Sequence, residues 1–294
     1  MSESEETPAR PPSLGGQAVI EGVMIRGPQA MAVCVRKPDG ELACRTEKNE
    51  AAGRLRGIPI LRGIAGLGDQ MSQGMRAMIW SAQVAAGKEP EEPREGEVRS
   101  TVAASLGAAT GFFLLAPALA TRRLERTVKN PRLAALLEGF LRMGMLVGYL
   151  RAIGRVPQAQ RLFGYHGAEH RAIQAYEANA SLDVESLRQF PNAHVRCGTS
   201  FLLTTTLLSS LTYAILGPQP LGRRLLSRLV LTPLIAGLSY EMIRLASTSS
   251  GGFWRLLFRP NMALQALTTR DPDESQMEVA LEAVRAVLAA HEAG

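Results

Sequence analysis

Long stretches without a single charged side chain constrain this chain more than any other feature of its sequence. Residues 100–121 and residues 198–221 are uncharged throughout, and about 20 apolar residues in a helix suffice to cross a hydrocarbon core of roughly 30 Å. Residues 133–150 and 229–243 are similarly apolar but contain ionisable groups. The sequence therefore predicts a mainly α-helical protein with a multi-pass membrane bundle of about four apolar segments, which either cross the bilayer or form hairpins that return to one side.

The ionisable groups inside the apolar segments need partners. Glu138 and Arg142 lie four residues apart and can neutralise each other on one helix face. A structural pair is the preferred interpretation, with a proton path as the alternative. Glu241 stands alone in its segment, and acids within a membrane often have a functional role.

The expected orientation in the membrane contains a conflict. The N-terminal region carries no secretory signal, so both termini and the segment 151–197 are expected on the cytoplasmic side of the membrane. The turns 122–132 and 222–228 would then lie outside, although both are rich in arginine, against the positive-inside tendency. Aromatic residues make up only 5% of the chain, which favours the lipid bilayer rather than nucleic acid as the partner of the basic residues.

The part of the chain before the apolar segments has three sections. Residues 1–13 are acidic and proline-rich, which predicts a disordered tail. Residues 14–86 form an N-terminal region that begins with two short strands between glycine turns and a β-hairpin around Pro38-Asp39-Gly40. This hairpin sets Cys34 opposite Cys44, and without a CxxC motif or an even cysteine count we expect two thiols in a reducing compartment. The region ends with a helix over 58–85, which faces either the protein core or the membrane interface.

A charged linker, residues 87–99, leads into the membrane helical domain, residues 100–250, which contains the segment 151–198 discussed below. The region 251–294 ends in a soluble amphipathic helix. Asp271 is its expected cap, and Glu274 completes a capping box.

Histidine is rare in this chain, with four residues in total, yet two of them occur in YHGAEHRAIQAYE, residues 165–177. On a helix, His166 and His170 project from one face one turn apart, a spacing that suits chelation of zinc or a similar divalent ion. Glu169 precedes the second histidine, as in H-x-x-E-H metallohydrolases, where such a glutamate acts as the general base. The motif predicts a divalent metal, with zinc preferred, and Glu169 as the catalytic group.

A catalytic zinc needs a third protein ligand and an open position. The candidates are His194, Cys197, Glu177 and Glu241, and we prefer His194 first and Glu241 second. Cys197 as a thiolate would favour a closed, structural site. A catalytic metal, a structural metal, and a set of hydrogen-bonded histidines at a membrane surface remain three open interpretations.

Six stretches taken together resemble one bacterial family: GGQAVIEGVMIRGP, RKPDGEL, FGYHGAEHRAIQAYE, HVRCGTSFL, LIAGLSYEMIRLA and LQALTTRDPDESQMEVA. They are similar to motifs of the YqhQ-like family, a domain-of-unknown-function family of multi-pass membrane proteins described as predicted metal-dependent enzymes. The resemblance covers roughly residues 14–290 and implies a protein of the bacterial cytoplasmic (inner) membrane. The positions that match by motif are His166, Glu169, His170, His194, Cys197 and Glu241.

Three functions are consistent with these features. The first is a membrane-embedded, metal-dependent hydrolase that acts on a lipid-like or peptide substrate near the cytoplasmic face. The second is a non-enzymatic scaffold or assembly factor with a structural metal. The third, a transporter, is disfavoured because the chain has no inverted repeat and only about four apolar segments. The ionisable groups in the apolar segments suggest neighbouring protomers, and hence a homo-oligomer.

Overall fold

The computed structural model describes residues 12–49, 57–117, 119–120, 128, 130–217, 219–249 and 252–292. Most of the predicted tail, residues 1–13, therefore lies outside the described residues. The strands are β1 (Gly15–Val19), β2 (Gly22–Arg26), β3 (Ala30–Arg36) and β4 (Leu42–Lys48). The helices are α1 (Leu61–Ala85), α2 (Glu95–Thr110), α3 (Pro131–Ile153), α4 (Pro157–Glu177), α5 (Val184–Arg188), α6 (Gly198–Leu216), α7 (Leu221–Thr248), α8 (Gly252–Leu257), α9 (Arg259–Gln265) and α10 (Glu274–Glu292). The mainly helical prediction is confirmed, although α2 begins inside the predicted linker 87–99.

The strands form an antiparallel meander in the order β1-β2-β3-β4. The predicted hairpin joins β3 to β4, and Gly40 takes the left-handed conformation, with a φ of 90°, that its turn requires. Cys34 and Cys44 face each other in the register with Cα atoms 4.2 Å apart, and a disulfide joins them. The expectation of two thiols is therefore wrong for this structure, because directly opposed residues in a non-hydrogen-bonded pair come close enough to bond.

Helices cover both faces of the sheet, and the side chains of β3 show how. Ala30, Ala32 and Cys34 point to one face and pack with α4 and α10. Their neighbours in sequence point to the other face, where Trp80 and Val84 of α1 cover them. This alternation is the period-two pattern of a strand that is buried on both sides. The sheet is thus the central layer of a compact unit that includes the histidine helix α4.

The helix α1 packs against both the sheet and the helix α7. Its second half buries Ala77, Trp80 and Val84 against the sheet, so a core-facing helix is the correct alternative there. Near its start, a Cβ on Gly63 would lie 3.1 Å from the carbonyl oxygen of Gly237 in α7. The small residue therefore lets α1 and α7 approach closely, and α1 links the sheet unit to the apolar helices.

Among the described residues, two helices are long and apolar enough to cross a membrane: α6, and residues Gly222–Thr248 of α7. After Thr110, α2 continues as a π-helical segment, Gly111–Leu115. Membrane crossing by residues 100–121 and 133–150 stays a prediction. In the described part of the chain, the structure thus supports two of the about four predicted apolar segments.

The predicted Glu138–Arg142 pair forms, with a distance of 2.7 Å between Arg142 Nη2 and Glu138 Oε1. It belongs to a larger buried cluster, because Arg224 and Arg228 of α7 also contact the Glu138 carboxylate, at 2.5 and 2.6 Å. Arg142 further donates to Ser209 of α6 at 2.9 Å. The cluster therefore ties α3, α6 and α7 together, which supports the structural interpretation of the pair.

The C-terminal helix forms as predicted but begins with a different cap. Asp273 accepts from the Gln276 amide at 2.9 Å, and the Gln276 side chain accepts from the Asp273 amide at 3.1 Å. The capping box is therefore Asp273–Gln276, not Asp271–Glu274. Asp271 lies before the start of the helix and instead binds Arg171 and Asn192.

Candidate metal centre

The helix α4 presents the two histidines of the H-x-x-E-H motif on one face, as the spacing predicted. The ring centroids of His166 and His170 are 4.4 Å apart. His170 is 2% exposed, and Glu169 is 4% exposed. Packing of the neighbouring Ala168 and Ala172 into the core below the sheet holds this face in place.

Backbone carbonyls determine which nitrogen of each ring carries the proton. The Nδ1 atom of His166 lies 2.8 Å from the carbonyl oxygen of Thr268, and Nδ1 of His170 lies 2.5 Å from that of Asn192. Since a carbonyl only accepts, each Nδ1 donates, and the neutral rings keep a lone pair on Nε2. Histidines that bind metals are usually oriented by such a second hydrogen bond.

The third member of the cluster is Cys197. Its Sγ lies 3.3 Å from Nε2 of His166, and it accepts from the Thr199 amide at 3.4 Å as the N-cap of α6. The ligand atoms of His166, His170 and Cys197 all lie within 4.8 Å of one another.

This donor set fits a divalent ion of the zinc type. Imidazole nitrogen and thiolate sulfur are ligands that zinc prefers, and its usual bond lengths place ligand atoms of a tetrahedral site about 3.5 Å apart. The measured separation of Sγ and Nε2 in His166 lies near that value. Three ligands from two elements are therefore arranged to hold one ion.

Glu169 lies beside this cluster without a hydrogen-bond partner among the described residues. Its Oε2 is 3.6 Å from Nε2 of His170, and its carboxylate lies so close to Gly16 of β1 that a Cβ there would overlap it. Burial raises the pKa of the Glu169 carboxyl group, while the charges of His166, His194 and Arg196 act in the opposite direction. A buried carboxyl group in this position can act as a base or as a further ligand.

His194, the preferred third ligand of the sequence prediction, lies beside the cluster and outside the set of three. Its ring centroid is 5.7 Å from that of His170, and its Nε2 lies 3.3 Å from Oε2 of Glu177. Gln265 holds the backbone of His194 through two hydrogen bonds of 2.9 Å. Burial lowers the pKa of the His194 imidazole.

The two acidic candidates have other partners. Glu241 accepts from Nε of Arg62 at 2.7 Å and from the Ile60 amide at 3.3 Å, so it links α7 to the start of α1. Glu177 binds Arg196 as well as His194. Neither acid belongs to the cluster of three, because each is held by a cation elsewhere.

Sequence reasoning missed three residues that shape the site: Asn192, Gln265 and Thr268. Two of them contribute backbone carbonyls, which no residue pattern reveals. The only available signal was their position, within or next to the stretches HVRCGTSFL and LQALTTRDPDESQMEVA that carry the family resemblance.

A family model described as "Protein of unknown function (DUF1385)" matches residues 58–290. The chain belongs to this family. The protein "Uncharacterized protein YqhQ" of Bacillus subtilis (strain 168) is 31% identical over 298 residues, which cover 95% of this chain and 93% of the relative. The YqhQ-like resemblance is therefore confirmed. No solved structure matches the chain.

Proposed function

We propose that this member of the DUF1385 family is a metal-dependent hydrolase of the bacterial cytoplasmic membrane, with a zinc-like ion held by His166, His170 and Cys197. One observation carries the proposal: two imidazoles, each oriented by a backbone carbonyl, direct Nε2 towards the same thiol. The carboxyl group of Glu169, which accepts no hydrogen bond from the described residues, is buried beside them with Oε2 3.6 Å from Nε2 of His170. Three protein ligands leave a position open, which distinguishes catalytic zinc sites from structural ones.

Each residue has a distinct role in this reaction. A bound divalent ion supplies a Lewis acid that polarises the bond to be broken. His166, His170 and Cys197 bind and orient the ion. Glu169 takes a proton from the attacking water and delivers it to the leaving group, and its burial, which raises the pKa of the carboxyl group, favours this task.

The position of Cys197 supports an assignment to the membrane surface. Cys197 directly precedes α6, one of the two helices within the described ranges that are long and apolar enough to cross a bilayer. Along α6, Leu207, Leu211 and Ile215 are exposed at steps of four residues, so one side of the helix presents a continuous apolar stripe. If lipid covers this stripe, the metal site lies where α6 enters the membrane.

A structural metal in a non-enzymatic scaffold is the second candidate. The observation that favours it is the burial of Glu169, whose carboxylate lies close enough to His170 to become a fourth ligand. Such a closed site would hold α4 and the start of α6 together without any chemistry.

Elemental analysis tests the metal. Purified full-length protein in detergent is expected to carry about one zinc per chain, and the His166→Ala/His170→Ala double variant none. Cys197→Ser should lose most of the metal, since a hydroxyl is a poor zinc ligand. His291→Ala, at the far end of α10, is the matched control and should keep it. Equal metal in the wild type and the double variant would disprove the site.

Glu169→Gln separates the hydrolase from the scaffold. As a general base, Glu169 contributes about 10²–10⁴-fold to the rate, so the variant should keep its zinc and lose hydrolysis of a small ester such as p-nitrophenyl acetate. Glu185→Gln, on the exposed side of α5, is the control for the charge change. Loss of zinc from Glu169→Gln would make Glu169 a ligand and favour the scaffold. Full turnover by a zinc-loaded Glu169→Gln protein would exclude the proposed mechanism.

A further inference from the structure

The strand β1 forms one edge of the sheet, and its register determines which backbone groups remain available. The hairpin pairs Val19 with Gly22 and Gln17 with Met24, next to a turn of two residues. On the other side of β2, Arg36 donates to the Glu21 carbonyl, so the backbone groups of odd-numbered β2 residues face β3. Hydrogen bonding in an antiparallel ladder alternates along the strand. The N–H and C=O groups of Gly16 and Ala18 therefore point outwards, away from β2.

Side chains cap this outer edge at both ends, and between the caps Gly16 is partly exposed while Ala18 is 9% exposed. Arg196 donates to the Leu14 carbonyl at 3.1 Å, and the Ile20 amide donates to Ser81 of α1 at 3.1 Å. Between these caps, the outward groups of Gly16 and Ala18 have no hydrogen-bond partner in the part of the chain that the structure describes. The free section includes two donors and two acceptors, arranged as a partner strand would require.

The free section lies next to the candidate metal centre. The Glu169 carboxylate packs directly against Gly16, where only a residue without a Cβ leaves room for it. Arg196, which caps one end of the edge, comes from the same loop as His194 and Cys197. A chain added along β1 would run about 4.8 Å from it, and so would pass beside Glu169.

We propose that the substrate of this site is a polypeptide, bound in extended form as an additional strand along Gly16–Ala18 of β1. The inference rests on the proposed hydrolase function and names its substrate class. Backbone N–H and C=O groups that alternate along an edge match another peptide backbone, and this mode of recognition by strand addition is common. A lipid acyl chain has no donors or acceptors to offer them. At Gly15 the side-chain position is open space, whereas at Gly16 it is filled by the Glu169 carboxylate, so a strand paired here would lie beside that carboxylate.

The chemical step is the hydrolysis of one peptide bond. The water oxygen forms a bond to the carbonyl carbon of the substrate, and the bond from this carbon to the amide nitrogen breaks. Glu169 accepts a proton from the water and passes it to the departing nitrogen. The products are a carboxylate and an amine, so no oxidant or further reactant is required.

Ala18→Pro tests the edge. Proline removes one outward donor, and its ring occupies the place where a partner strand would lie, but the ladder to β2 keeps its bonds. The probes are a proteome-derived tryptic peptide library, read by mass spectrometry of new termini, and p-nitrophenyl acetate, which needs no strand. We expect the ratio of peptide cleavage to ester hydrolysis to fall about tenfold or more in the zinc-loaded variant.

Thr46→Pro is the matched control, since Thr46 is exposed on the opposite edge strand β4 and its N–H also points outwards. It should leave the ratio unchanged. An unchanged ratio in Ala18→Pro, or ester hydrolysis by the wild type without any peptide cleavage, would overturn the strand-addition proposal and leave the hydrolase intact. No turnover of either probe by the zinc-loaded wild type would reject the hydrolase itself, and the substrate proposal with it.

Hydrogen exchange gives a second reading in case Ala18→Pro does not fold. In zinc-loaded Glu169→Gln protein, saturating peptide library should slow amide exchange of residues 14–20 about tenfold, because the Gly16 and Ala18 amides gain acceptors. Residues 42–48 on the opposite edge should exchange as before. Equal exchange of residues 14–20 with and without the library would refute strand addition.

Discussion

At the scale of the residue, the site depends on how each imidazole is held. In His166 and in His170, Nδ1 donates a hydrogen bond to a backbone carbonyl, so Nε2 of each ring remains available to bind a metal ion. The motif in the sequence predicted these two residues because i,i+4 spacing on a helix is a local property. The preferred third ligand, His194, instead lies by Glu177, while Cys197 occupies the position near His166. The choice between them depends on the loop after Asn192, which local patterns do not specify.

His194 should make the metal-free protein sensitive to acid. Burial lowers the pKa of its imidazole, so in the unfolded chain the ring binds a proton near its ordinary value of about 6.5, but in the folded protein only at lower pH. Between those two values the unfolded state binds more protons, and stability falls as the pH drops. Between about pH 7.5 and pH 5, the unfolding temperature of the apoprotein should therefore fall less in His194→Gln than in the wild type. An identical pH profile in the variant would contradict this assignment.

At the scale of the element, short-range sequence patterns predicted whether a segment forms a helix or a strand better than they predicted where it begins. The β3–β4 hairpin appeared where Pro38-Asp39-Gly40 indicated it, because a turn depends on adjacent residues. For α10 the helix was predicted correctly, but its capping box lies two residues later than expected. Asp271 is drawn away to Arg171 and Asn192, which lie about 80 to 100 residues earlier in the chain. A long-range contact thus selected one of two plausible local caps.

The position of the cap can be tested by paired substitutions. Asp273→Ala should lower the free energy of unfolding by about 1 kcal/mol, because the amide of Gln276 loses its acceptor. Glu274→Ala, at the residue of the originally predicted box, should cost less than about 0.5 kcal/mol. Urea unfolding of both variants measures the difference. A larger cost for Glu274→Ala would support the box predicted from the sequence.

At the scale of the whole molecule, a sheet covered by helices adjoins a set of apolar helices. The buried Glu138 cluster alters the question of membrane orientation, because Arg224 and Arg228 point towards Glu138. Two arginines that seemed to be free charges of the 222–228 turn are therefore partners of an acid within the helices. Arg224 and Arg228 are therefore weaker evidence about the side of the membrane on which the 222–228 turn lies than the sequence suggested.

Removal of the Glu138 carboxylate should strongly destabilise the apolar helices. Glu138→Gln takes away the shared counter-charge of Arg142, Arg224 and Arg228, and loss of one partner from a buried ion pair costs about 3–5 kcal/mol. Thermal unfolding in detergent should therefore occur at a clearly lower temperature. Glu241→Gln is the control, since the Arg62 that it contacts is more exposed and the loss should be smaller. Equal decreases in unfolding temperature for the two substitutions would show that the Glu138 cluster stabilises the protein no more than the Glu241–Arg62 pair does.

The sequence by itself determined the helical character, the strand-rich N-terminal region, the apolar segments and the two histidines with Glu169, because each follows from residues close together along the chain. Only the tertiary structure decided that Cys197 joins the histidines, that Cys34 bonds to Cys44, and that the edge of β1 lies beside Glu169. These three depend on which distant elements pack together. Packing is a property of the whole set of contacts, so no local pattern specifies it.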